Sequence, residues 1–95
     1  MNTAAKGRRN EWRSAALLEA AGYRVTRAAA SKGEWDLIAV SAADVVLLQV
    51  KTRDWPGSVE METLAAYPCP PCCRKLVHRW RPRARRPDVR EVKNA

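Results

Sequence analysis

The chain has 95 residues, with 18 Lys and Arg against 10 Asp and Glu and a formal charge of +8 at neutral pH. This length suits one domain around one core and excludes separate catalytic and binding domains, so residues 1–95 are expected to form a single unit with flexible termini at 1–5 and 93–95. An apolar fraction of 46% beside 29% charged residues argues against a disordered chain.

Gly7 to Ala21 is rich in Ala, Leu, Glu and Arg and lacks proline, and Gly22 follows where a helix would end in a left-handed residue; the segment predicts a first helix. Tyr23 to Ala28 alternates and predicts a strand, broken by Ala30-Ser31-Lys32-Gly33. Glu34 to Val40 and Asp44 to Thr52 are apolar runs joined by a short polar and small stretch, the pattern of an antiparallel hairpin. Val46, Leu48 and Val50 then share one face, and Leu47, Gln49 and Lys51 the other. Pro56-Gly57-Ser58 predicts a turn into a second helix over Val59 to Ala66, with Ser58 as its N-cap and Pro68 beyond its end. Cys73 to Trp80 and Val89 to Val92 predict two more strands around an arginine-rich loop, with Leu76 and His78 on one face and Val77 and Arg79 on the other.

If the hairpin pairs symmetrically about its turn, Val40 faces Val45 and Asp36 faces Gln49. Opposed residues of an antiparallel ladder share a face about 5 Å apart, and Lys51 lies two positions further along the same face. On the first helix, Glu11 shares a stripe with Ala15, Leu18 and Gly22 and brings a further carboxylate toward the sheet. Two carboxylates, an amide oxygen and a lysine are the groups a Mg²⁺-dependent phosphodiesterase requires: hard oxygen ligands for the cation and an ammonium group for the developing charge.

Three stretches carry a resemblance. Lys6-Gly7-Arg8-Arg9-Asn10-Glu11, Gly33-Glu34-Trp35-Asp36-Leu37-Ile38-Ala39 and Gln49-Val50-Lys51-Thr52 stand in the order and spacing of the PD-(D/E)XK nuclease superfamily, within which the chain resembles the archaeal-type Holliday junction resolvases. The resemblance implies an α/β fold with a restriction-endonuclease-like mixed central β-sheet flanked by α-helices, in the order α-β-β-β-α-β-β. It implies a Mg²⁺- or Mn²⁺-dependent DNA endonuclease acting on branched or four-way DNA as a homodimer. Asp36 becomes the principal metal ligand, Gln49 the second, Lys51 the catalytic lysine and Glu11 an accessory acid acting through water. Two positions depart from the family: Trp35 stands where proline is frequent, and Gln49 where glutamate is usual, which removes a charge from the site. A non-catalytic nucleic-acid-binding protein with a degenerate metal site is the alternative.

Eight basic residues between Arg74 and Arg90 favour a polyanionic partner, nucleic acid rather than membrane. Lys6, Arg8, Arg9, Ser31, Lys32, Arg53, Arg81, Arg83, Arg85 and Arg86 are the candidate contacts to DNA. Trp12, Trp35 and Trp80 suit a core or a dimer interface better than base stacking. Cys69, Cys72, Cys73 and His78 have a zinc-ligand composition, yet a single C-x-x-C stiffened by Pro70-Pro71 favours idle thiols over a zinc-stabilised interaction domain. The cysteines are too close in sequence to staple distant segments, and the longest aliphatic run, Val45 to Leu48, is far below membrane-spanning length; a cytoplasmic protein is expected.

Overall fold

A computed structural model describes residues 3–28 and 34–95, with side chains described from Gly7 onward. The elements run α1 (Thr3–Ala20), β1 (Arg24–Arg27), β2 (Leu37–Val40), β3 (Val45–Thr52), α2 (Ser58–Ala66), β4 (Cys73–Trp80) and β5 (Asp88–Glu91), the order expected. They form one five-stranded sheet in the order β1-β2-β3-β4-β5. All pairings are antiparallel except β3 with β4, which is parallel and bridged by α2. A parallel pair needs a crossover, and α2 is that crossover. No described helix is long and apolar enough to cross a membrane.

Helix α1 begins at Thr3 rather than Gly7 and stops where the sequence indicates. Gly22 takes φ +100°, Gly22 N–H donates to Glu19 O at 3.0 Å, and Tyr23 N–H donates to Leu18 O at 3.0 Å. This is a Schellman closure, which satisfies the last carbonyls and turns the chain toward β1. The α2 cap differs from expectation. Gly57 occupies the N-cap, with no side-chain cap, and Ser58 is already helical; Gly57 O instead accepts from Met61 N–H at 2.8 Å.

The sheet separates two apolar clusters. Leu18 of α1 packs with Leu37, Ala39, Val46, Leu48 and Leu76 on one face. Leu64 of α2 packs with Trp35, Leu47, Val77 and Val92 on the other. The alternation along β3 thus distributes its side chains as the sequence implies. Under α2, the buried Lys75 donates from Nζ to Ala65 O at 2.9 Å, a cation placed at the helix's C-terminal carbonyls. On the α1 face, Ser14 is fully buried; its Oγ accepts from Trp80 Nε1–H at 2.8 Å and shares a 2.9 Å hydrogen bond with His78 Nδ1.

Candidate active site

The hairpin turns at Ser41 to Asp44, and its register is the symmetric one, with Val40 opposite Val45 and Leu37 opposite Leu48. Ser41 Oγ accepts from the Ala43 and Asp44 amides at 3.1 Å and meets Asp44 Oδ1 at 2.8 Å. Tyr23 Oη–H donates to Asp44 Oδ2 at 3.0 Å. These bonds hold the Asp44 carboxyl below the usual carboxylate range, the Ser41 contact first and Tyr23 second.

At Asp36 the ladder departs from the simple extrapolation. Strand β2 starts at Leu37, not Glu34, and Asp36 N–H donates to Leu48 O at 2.9 Å, although Leu48 faces Leu37. Trp35 and Leu37, two residues apart, lie in clusters on opposite faces of the sheet. The chain therefore bulges at Asp36. The expectation that Asp36 lies squarely across from Gln49 is corrected: Asp36 Oδ2 accepts from Val50 N–H at 2.7 Å, so the carboxylate takes the ladder position that β2 leaves empty. From the edge of β3 it senses both faces. Burial pushes its carboxyl up, the Val50 bond pulls it back, and the charges of Glu11 and Glu60 raise it further against the lowering effect of Lys51.

Gln49 is buried at 7% exposure. Its Nε2 donates to Glu34 O at 3.2 Å and to Glu60 Oε2 at 2.9 Å, while its Oε1 is buried with no partner. Both neighbours of the nitrogen are acceptors, so the amide cannot be flipped without facing oxygen to oxygen. Lys51 Nζ lies 3.4 Å from Glu60 Oε1. Glu60, in the first turn of α2, was missed by the sequence reading; nothing in a local pattern shows that a crossover helix returns it to the end of β3. Glu11 is held by Arg27 across 2.9 Å, and its charge is felt at Asp36.

Asn10 Nδ2 donates to Thr52 Oγ1 at 2.9 Å and ties the end of β3 to α1. Beside this tie a cleft of about 340 Å³ is lined by Arg9, Arg13, Arg53, Trp80, Arg81 and Arg83, among others. Two of its arginines, Arg53 at φ 80° and Arg83 at φ 63°, adopt left-handed backbone that non-glycine residues seldom hold. Of the proposed DNA contacts, Arg9, Arg53, Arg81 and Arg83 thus converge, and Arg81 also pairs with Asp88 at 3.1 Å. Arg8, Arg85 and Arg86 are exposed outside the cleft; the Lys6 side chain, Ser31 and Lys32 lie outside the described residues. Arg13 stacks 3.9 Å above the Trp80 ring, and Arg79 and Arg90 lie 4.6 Å and 4.2 Å from the Trp55 ring centre.

His78 does not join the three cysteines. His78 faces Ser14 on the α1 side, while Cys69 and Cys73 pack against the α2-side cluster, and Cys69 Sγ–H donates to Cys73 O at 3.1 Å. Trp35 and Trp80 are core, whereas Trp12 is 65% exposed.

The family model of the archaeal Holliday junction resolvases matches residues 2–64, more than half of the chain. The chain belongs to that family. No curated protein sequence matches the chain. This resolvase-family chain also superposes on the 1.6 Å structure of Archaeoglobus fulgidus Hjc, a Holliday junction resolvase from an archaeal hyperthermophile. The TM-score is 0.73 at 22% identity, over 90% of this chain and 77% of that one. The fold is therefore that of a PD-(D/E)XK-type resolvase.

The donor set of this family member suits a hard divalent cation. Among the described residues no three His, Cys, Asp or Glu side chains cluster closely enough to hold a metal. The oxygens that could serve a cation are the Asp36 carboxylate and the buried, partnerless amide oxygen of Gln49. A buried acceptor without a donor costs about 1–3 kcal/mol, a cost that a cation would relieve.

Proposed function

We propose that this family member is a metal-dependent DNA endonuclease selective for branched structure, a Holliday junction resolvase acting in DNA recombination and repair. The observation that carries the reading is the orphaned, buried Gln49 oxygen on a strand whose next residue, Val50, holds the Asp36 carboxylate and whose following residue is Lys51. Asp36 and Gln49 would hold Mg²⁺ or Mn²⁺ directly, and Glu11 through water. The cation supplies charge neutralisation at the scissile phosphate and an acidified water. Lys51, its ammonium 3.4 Å from Glu60 Oε1, would donate to the phosphate oxygens and offset charge as it develops. Asn10 and Thr52 fix the strand end that carries Lys51.

The arginines of the cleft would grip the sugar-phosphate backbone. Such contacts supply affinity without reading sequence, which suits an enzyme that selects shape. Arg8, Arg85 and Arg86, exposed outside the cleft, would add phosphate contacts of the same kind. A junction requires two symmetric cuts, and one chain carries one such site, so the active species is a homodimer. A cytoplasmic site of action belongs to the same proposal.

The test is cleavage of a labelled four-way junction beside its matched linear duplex, with Mg²⁺ or Mn²⁺. Symmetric nicks in the junction alone, reduced by about 10²-fold or more in Lys51→Ala, are expected. Equal cutting of junction and duplex would make the chain a general nuclease. Tight, salt-sensitive binding with no cutting would favour the non-catalytic binding protein.

A further inference from the structure

In the site described above, position 49 lacks the acid that its family usually places there, yet the site does not lack a second carboxylate. Glu60 arrives from α2, one oxygen 2.9 Å from the Gln49 amide nitrogen and the other 3.4 Å from the Lys51 ammonium. Its charge is felt at Asp36. The Gln49 amide is buried with its nitrogen turned to Glu60 and the Glu34 carbonyl, which leaves its oxygen without a protein donor. A glutamate at 49 would set two carboxylates against each other in this space; glutamine and glutamate fit as donor and acceptor.

We infer that Glu60 is a positioning residue of the metal site and works as one unit with Gln49. It fixes the amide so that its oxygen is presented to the cation, and it carries the negative charge that position 49 gave up. This rests on the metal-site reading of Asp36 and Gln49. Glu60 also restrains Lys51, so cation and lysine share one anionic partner.

The rival role is structural: an acid in the first turn of α2 that stabilises the helix through its dipole. The two roles separate in a double-mutant cycle read by Mn²⁺ titration calorimetry on the full chain, with thermal melts as the control for folding. Glu60→Gln is expected to weaken Mn²⁺ binding by about 10-fold or more. Gln49→Glu with Glu60→Gln, which moves the charge back to the strand, is expected to restore it to within about threefold, while Gln49→Glu alone, which opposes two carboxylates, gives no matching gain over the wild type, a non-additivity only coupled groups show. Wild-type Mn²⁺ affinity in Glu60→Gln, with affinity lost in Asp36→Asn, would overturn the role of Glu60 and leave the metal site standing. Equal weakening in the single and the double variant would also overturn it. Failure of the wild type itself to bind Mn²⁺ would overturn the metal site and this inference with it.

Discussion

His78 offers a measurable consequence of how the α1 face is packed. It is the chain's single histidine, 5% exposed, with Ser14 on its Nδ1. Burial holds its pKa down from the ordinary 6.5 to about 4. An unfolded chain takes up the proton near 6.5 and the folded chain only near 4, so between these values the unfolded state holds more protons and stability falls as the pH falls. Each pH unit of that interval is worth about 1.4 kcal/mol, which places the full loss at about 3 kcal/mol once the pH is below 4. That is a large part of the about 5–15 kcal/mol typical of a small domain. Urea denaturation of the wild type and of His78→Gln across pH 4 to 7 measures it. Both proteins keep the same carboxylates, so the difference between the two curves isolates the imidazole. The wild type should lose up to about 3 kcal/mol more than the variant between pH 7 and 4. Parallel curves, or a ring titration by NMR near 6.5, would refute the reasoning.

Two further outcomes follow from packing and charge. Leu64 is fully buried and is the main anchor of α2; Leu64→Ala should cost about 2–5 kcal/mol in urea unfolding, and a change below about 1 kcal/mol would mean that α2 is held by something else. Arg83→Ala removes one arginine of the cleft and should lower the slope of log binding constant against log salt by about 1 for junction and duplex alike; an unchanged slope would place the DNA elsewhere.

Much of the frame was legible in the chain because it rests on local chemistry. Gly22 marked the end of α1, since only a residue at ease with positive φ closes that turn. The short stretch from Ser41 to Asp44 set the hairpin register, because a tight turn leaves the strands one pairing. The alternation along β3 separated Leu48 and Leu47 onto opposite faces, and the structure covers the first with α1 and the second with α2. The resemblance carried by Asp36, Gln49 and Lys51 pointed to the family that the comparison of residues 2–64 then gave.

What the sequence could not decide arises where distant segments meet. The bulge at Asp36 exists because Trp35 packs beneath α2 while Leu37 packs beneath α1, a conflict that appears only once both layers are present. The partnership of Gln49 with Glu60 depends on a parallel crossover that folds 11 intervening steps of chain back over β3. His78 and Ser14, 64 positions apart, meet because β4 lies beneath α1. Periodicity fixes which way a side chain points along its own element, but the partner it finds there is set by how the layers stack. The sequence therefore determined the elements and their faces, and the tertiary structure decided the company its charged and polar groups keep.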